Sequence, residues 1–245
     1  MPHYFIEPGT RDGESVTVSG PLHRHLAGSL RLRVGETVRL VDGDRLLEVR
    51  VEVADRHQLV ARVIGDTLLP QEAVDVTLAM GVPKGKKLDE VVRHATELGA
   101  CRIVPVYTRR SVPAVKERTA RDERLAAIAL EAAQQSGRSR VPTVDAPVSL
   151  EAFILHSIRE TTHGVVLWER EAGVPLADAL PGPGVAITLF VGPEGGLAEE
   201  EVNQLTDAGF VRAHLGPFTL RAETAALAAV ALTVQRYDTR PAHGN

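Results

Sequence analysis

Residues 185–209 read VAITLFVGPEGGLAEEEVNQLTDAG, and their pattern decides the fold. A nearly unbroken apolar run ends at Val191, as in a strand buried on both faces. Three glycines follow within five positions, Gly192, Gly195 and Gly196. EEEVNQLTDAG then has helical spacing and stops at Gly209. The unit is strand, glycine loop, helix. Outward from it the alternation repeats. DVTLAMGV (75–82) is a strand. KKLDEVVRHATELG (86–99) is a helix with apolar face Leu88, Val91, Val92, Ala95 and Leu98, and Gly99 placed to end it. CRIVPVY (101–107) is a strand, ERLAAIALEAAQQSG (123–137) a helix ending at Gly137, and GVVLWE (164–169) a buried strand. VRAHLG (211–216) is a strand and ETAALAAVALTVQRY (223–237) a long Ala-rich helix. Such alternation predicts an α/β fold with a mostly parallel sheet.

The N-terminal part is different. HYFIE, SVTVSG, ETVRLVDG and LLEVRVEVADRHQLVARVIG alternate apolar and polar residues with period two. Asp42-Gly43 suits a hairpin turn. PLHRHLAGSLRL (Pro21–Leu32) suits a short helix through Leu22, His25, Leu26 and Leu30. Short strands around one helix predict a small barrel. The pattern changes near Leu69-Pro70, so the expected units are 1–70 and 71–245. RPAHGN (240–245) is expected to be a frayed tail.

Composition narrows the class. Of 245 residues, 44% are hydrophobic and 24% charged, as in an ordinary soluble domain. One cysteine, Cys101, excludes an internal disulfide and any cysteine-rich metal cluster. No apolar run approaches the roughly 18 residues that cross a bilayer. MPHYFIEPGTRDGES lacks a basic head followed by an apolar stretch, so a cytoplasmic location without a signal is expected. The net charge is −4, which argues against a nucleic-acid partner on the total alone. Of 28 basic residues only four are lysines, leaving 24 arginines. Arginine suits bidentate phosphate contacts, and it equally reflects a GC-rich genome.

Three segments could carry chemistry. In FVGPEGGL (Phe190–Leu197) the glycines let backbone groups approach a ligand, and the next helix N-terminus favours an anion. A tight strand-to-helix turn accounts for the same residues. Neither GxGxxG nor GxxxxGK[ST] is present, so a dinucleotide fingerprint or an ATP loop is unsupported. In LGPFTLRAETAALAAVAL (Leu215–Leu232) a second glycine loop follows a strand. Arg221 and Glu223 open the helix there, as functional groups or as a surface ion pair and a dipole partner. Both loops are expected at the C-terminal edge of the sheet, where ligands bind. In VPKGKKLDEVVRHATELGA (Val82–Ala100), Lys84, Lys86 and Lys87 crowd a helix start, with Arg93 beyond. A solvated basic loop and a phosphate site both fit. Arg109, Arg110, Arg138 and Arg140 extend an electropositive face. No histidine has metal-ligand spacing, and His23 and His25 are expected at the surface. Ser136, Ser139 and Cys101 lack a nucleophile elbow or a nearby base. Trp168 is core, or lines a pocket.

Six stretches in order are together very specific: HLAGSLRLRVGETVRLVDG, PKGKKLDEVVRHATELGACRIVPV, TRRSV, ALEAAQQSGRSRVP, FVGPEGGLAEEEV and LGPFTLRAETAALAA. On these the chain resembles, over nearly its whole length, the RsmE family, the 16S ribosomal RNA (uracil-N3) methyltransferases of the SPOUT superfamily. The resemblance implies a PUA-like β-barrel for RNA recognition and a SPOUT domain with a deep trefoil knot, a rare exception to unthreaded topology. It implies S-adenosylmethionine as cofactor, a homodimer, the small ribosomal subunit as partner, and no membrane or metal. Carried over by position, the cofactor residues are Leu167, Val191, Gly192, Pro193, Glu194, Gly195, Gly196, Leu215, Gly216, Pro217, Leu220 and Ala225. Arg221 and Glu223 are the catalytic candidates. The RNA-binding candidates are Arg24, Arg31, Arg33, Lys84, Lys86, Lys87, Arg93, Arg109, Arg110 and Arg138.

Four residues at three places depart from the family pattern. Phe218-Thr219 replaces Arg-Ile, which removes a positive charge. Lys86 replaces Asp. Ala198 replaces a Ser or Thr helix cap, which should weaken that helix start by about 1 kcal/mol. In the implied reaction Arg221 stabilises charge on uracil O2 and O4, and Glu223 is a base or an orienter. The target base must be unpaired, because N3 is a Watson–Crick atom. Competing readings are a SPOUT enzyme acting on transfer RNA or a 2′-hydroxyl, and a non-catalytic ribosome-assembly factor.

Overall fold

The computed structural model describes residues 2–111, 118–157, 159–160, 162–169 and 173–238. The expected tail at 240–245 and Val112 of the TRRSV stretch lie outside them. The chain forms two compact units. One is Met1–Gln71 with Ala133–Arg140, and the other is Glu72–Ala132 with Val141–Asn245. The division expected at residue 70 thus omits a distant piece of the first unit. That piece is tied in by its backbone: His3 N–H donates to Gln134 O at 3.2 Å, and His3 Nε2 bonds Arg138 O at 2.7 Å.

The first unit holds β1 (Tyr4–Phe5), β2 (Arg11–Asp12), β3 (Ser15–Ser19), α1 (Gly20–His23), β4 (Thr37–Asp42), β5 (Arg45–Ala54) and β6 (Gln58–Leu68). The sheet order is β1-β4-β5-β6-β3-β2. Only β1 with β4 is parallel. Period-two burial puts Val16, Val18, Leu40, Leu47, Val49, Val51, Leu59 and Ala61 into one core with Leu26. Two register shifts in the β5–β6 ladder, at Glu48/Val49 and Val51/Val53, interrupt the pairing there. Among the described residues no ladder joins β1 to β2, so the sheet path has two ends. The expected Pro21–Leu32 helix is in fact two pieces. Regular α1 stops at His23, and Arg24–Ser29 continues as a wider π-helical turn. His23 is buried and bonds Asp55 O at 3.0 Å, against the surface position expected for it.

The second unit holds β7 (Val76–Gly81), α2 (Lys87–Glu97), β8 (Arg102–Tyr107), most of α3 (Arg118–Ser136, whose residues from Ala133 on belong to the first unit), β9 (Thr143–Val144), β10 (Val148–Ser149), α4 (Leu150–Ser157), β11 (His163–Leu167), β12 (Val174–Pro175), α5 (Leu176–Ala179), β13 (Ile187–Val191), α6 (Glu199–Asp207), β14 (Val211–His214) and α7 (Ala222–Tyr237). Every strand pair here is parallel, in the order β10-β8-β7-β13-β11-β14-β12, with β9 beside β8. Alternate residues serve opposite cores. Leu78, Met80, Ile187, Leu189 and Val191 face α2 and α7 through Val91, Val92, Ala95, Ala226, Ala229 and Val230. Ala79, Val166 and Phe190 face α4 and α6 through Phe153, Val202 and Leu205. Helices on both faces explain why the strands read as continuous apolar runs. Helix α4 had no counterpart among the elements expected from the sequence. Among the described residues no helix is long and apolar enough to cross a membrane.

Candidate functional site

The order β13-β11-β14 places three parallel strands side by side, all ending at one edge. Their C-terminal continuations, 191–197, 167–169 and 214–220, line a single cavity of about 340 Å³. That lies within the roughly 300–1,000 Å³ typical of small-molecule sites. The two glycine loops, some twenty residues apart in sequence, therefore meet. Of the twelve residues expected to hold a cofactor, eleven line this cavity, and Gly195 does not. Gly195 instead turns toward Arg110, whose side chain an added Cβ would approach to 3.2 Å.

The loop after β13 is held on several sides. Arg110 Nη1 donates to Gly195 O at 2.5 Å and to Leu197 O at 3.4 Å. Lys84 N–H donates to Glu194 Oε1 at 3.2 Å. Gly196 N–H closes back on Pro193 O at 2.8 Å. Pro193 packs so tightly on the end of β7 that a Cβ at Gly81 would lie 2.4 Å from Pro193 Cδ. Gly196 has φ +70, a conformation that favours glycine. The next helix starts on Ala198, which has no side-chain oxygen to offer. Glu201 supplies the other half of a capping box, since its Oε2 accepts Ala198 N–H at 2.9 Å. Its Oε1 accepts Arg109 N–H at 2.7 Å. The weakening expected from Ala198 is thus offset in part by a buried carboxylate.

The loop after β14 is different. Residues 216–221 are exposed throughout, and Phe218 is 81% exposed. Gly216 has φ +127, and a Cβ there would meet nothing within 4 Å, so its requirement is conformational alone. Arg221 is the N-cap of α7 and lines the cavity. No carboxylate of the described residues lies within 4 Å of it, so the surface ion pair considered for it does not form.

Lys87, expected to face RNA, lies elsewhere. It lines the cavity, with Nζ 3.3 Å from Glu194 Oε1 and 3.2 Å from Glu223 Oε1. One ammonium thereby links the first glycine loop to the start of α7. The Lys87 pKa is raised, first through its bond to Glu223. Glu223 titrates below the ordinary glutamate range, first because its own backbone N–H holds the carboxylate and then through Lys87. Two more RNA candidates change role. Arg138 is buried in the first unit, which removes it from the surface. Arg110 braces the glycine loop. Arg93 pairs loosely with Glu131 at 3.5 Å and Arg109 with Glu200 at 3.7 Å. Arg24, Arg31, Arg33, Lys84 and Lys86 are exposed, and their side chains make no salt bridge among the described residues.

Sequence reasoning missed Glu169, Leu197, His214 and Ala222 as lining residues. Trp168 meets both expectations raised for it, being 7% exposed and part of the cavity wall. Arg212 lies over its ring, 5.4 Å from the centroid. Among the described residues no group of three or more His, Cys, Asp or Glu is arranged for a metal ion.

Comparison with known proteins gives the family of the chain. Residues 70–234 match the RNA methyltransferase domain family. The chain is similar to the ribosomal RNA small subunit methyltransferase E of Mycobacterium bovis, at 34% identity over 96% of this chain and 93% of that protein. It is similar to the Bacillus subtilis protein of the same name at 31% identity, with both chains covered in full. The crystal structure of ribosomal RNA small subunit methyltransferase E from Neisseria gonorrhoeae, bound to S-adenosyl methionine, matches with TM-score 0.86. Its identity is 29%, over 97% of this chain and 98% of that one. With a family match across two thirds of its length and full-length relatives above 30% identity, the chain belongs to the RNA methyltransferases of the small subunit methyltransferase E family.

Proposed function

We propose that this chain methylates N3 of a specific uridine in 16S ribosomal RNA, using S-adenosylmethionine held at the sheet edge. The observation that carries the reading is the meeting of the β11, β13 and β14 ends in one cavity with a glycine-backbone wall. The residues fit such a nucleoside. Leu167, Val191, Leu215, Leu220 and Ala225 offer apolar walls for an adenine, and the glycine loops offer N–H and C=O groups. Glu169 and Glu194 supply negative charge for a cationic ligand. The bound donor would bring a methyl group already activated by positive sulfur.

The chain's own task is then alignment and charge stabilisation. Arg221, in no salt bridge among the described residues, stabilises negative charge on uracil O2 and O4 in this reading. Glu223 is a poor base for the N3 proton, because a carboxylate held below its usual range binds protons weakly. It acts as an orienter through Lys87, and the proton leaves to water at the open mouth. Arg24, Arg31 and Arg33 on the first unit and Lys84 and Lys86 on the second supply phosphate contacts. In the same reading the second unit is a SPOUT domain with a trefoil knot, the first a PUA-like barrel, and the assembly a homodimer.

The test is incubation with labelled S-adenosylmethionine and under-methylated small subunits, followed by nucleoside analysis. Labelled 3-methyluridine is expected. A 2′-O-methylated nucleoside, or label in transfer RNA only, would redirect the assignment. Calorimetry without cofactor binding would favour a non-catalytic factor.

A further inference from the structure

We infer that Phe218 is a stacking platform for an unpaired base of the RNA substrate entering the pocket. The inference rests on the methyltransferase reading above and extends it to how the substrate is held. Phe153, Phe190 and Phe210 are buried in the core of the second unit, whereas Phe218 is 81% exposed. It is the most exposed of the large apolar side chains described. A lone exposed apolar side chain needs no explanation, so what matters is the place of this one. That place is the rim of the cavity, within an apolar lip completed by Pro217 and by Leu220, itself 37% exposed. Arg221 follows directly and is exposed too, near enough to Glu223 to lower its pKa but in no salt bridge among the described residues. An aromatic face next to such a cation is the combination that holds single-stranded nucleic acid. The ring takes the face of a base, and the guanidinium meets the negative charge at its carbonyl edge. A duplex offers no free base face and so has nothing to stack there.

Phe218→Leu keeps the bulk and apolarity and removes the π face, while Phe218→Trp keeps it. The experiment uses the full chain at saturating S-adenosylmethionine. It measures the affinity for a single-stranded uridine-containing oligoribonucleotide and for a fully paired duplex by fluorescence anisotropy. It also measures KM for under-methylated small subunits. Phe218→Leu should weaken single-strand binding about five- to a hundredfold and raise KM in step. Duplex binding and the salt slope should stay as in the wild type, because no phosphate contact is lost. Phe218→Trp should restore the single-strand affinity. Equal weakening for both RNAs, failure of the tryptophan variant to restore binding, or wild-type affinity in Phe218→Leu would overturn the proposal. So would a changed oligomeric state of Phe218→Leu in light scattering, which would make Phe218 a contact between copies. Because anisotropy reads occupancy whether or not a methyl group is transferred, the result is separate from whether the chain transfers a methyl group to uridine.

Discussion

The two glycine loops of the cavity look alike in sequence and behave differently in the fold. The loop after β13 is buried at Val191, Gly192, Pro193 and Leu197 and is tied by Arg110, Lys84 and the close contact of Pro193 with Gly81. The loop after β14 is exposed from Gly216 to Arg221 and ends in a guanidinium that makes no salt bridge among the described residues. One is a rigid cradle and the other an open lip. The difference follows from position. β13 is the middle strand of the seven-strand path and its loop runs between neighbours, whereas β14 has only the two-residue β12 on its outer side. A pocket built this way holds its small ligand on the fixed side and admits a large substrate on the free side.

The strongest way to break the contrast is to disturb the cradle. Gly81→Ala places a methyl 2.4 Å from Pro193 Cδ, so one of the two must move. A loss of about 1–3 kcal/mol in thermal or urea unfolding is expected. Cofactor affinity should fall by more than about tenfold in calorimetry. Unchanged affinity would mean that the cradle is not rigid. A milder disturbance is Arg110→Ala, which frees Gly195 O and leaves the lip alone. Cofactor affinity should fall roughly three- to tenfold, with RNA affinity at saturating cofactor nearly unchanged. A selective loss of RNA binding would return Arg110 to the RNA surface.

The third prediction concerns the link between the two loops. Lys87→Gln removes the ammonium shared by Glu194 and Glu223. Because the group is partly solvated, only about a two- to fivefold loss of cofactor affinity is expected by calorimetry. The smallest effect is on pH dependence. In the folded chain Glu223 titrates below the ordinary glutamate value of 4.5. Its contribution is therefore complete above that value and is lost only as pH falls through the lower folded one. The Lys87 pKa is raised, so its charge persists through neutrality. Between neutral pH and about 5 neither Lys87 nor Glu223 changes charge, so the part of the cofactor affinity that they carry should be flat. A decline beginning near neutrality, abolished in Glu223→Gln, would instead mark Glu223 as a base with a raised pKa.

Much of the second unit was legible. The strand and helix succession from Val76 to Tyr237 follows from apolar runs and 3.6-residue spacing, and α4 escaped because LEAFILHS is apolar without a clear face. The loops were legible as ligand-approach points because glycines after buried strands have few other uses. The basic residues were not. Lys87, Arg110 and Arg138 read alike as cations near turns, yet one bridges two carboxylates, one holds carbonyls and one is buried. The early part of the chain misled in a similar way, since Pro21–Leu32 has helical spacing but opens into a π-helical turn.

What the chain determined by itself is local: where backbone periodicity puts a strand or a helix, and where glycine permits a bend. Those depend on neighbours within a few residues, and so are written in consecutive letters. The tertiary structure alone decided which strands lie side by side, and with that which loops meet and which charges pair. Glu194 and Lys87 are more than a hundred positions apart, as are Glu223 and Lys87, and Arg138 and His3. Electrostatic and steric interactions act over a few ångströms in space whatever the sequence separation, so only the order of the sheet could bring those partners together.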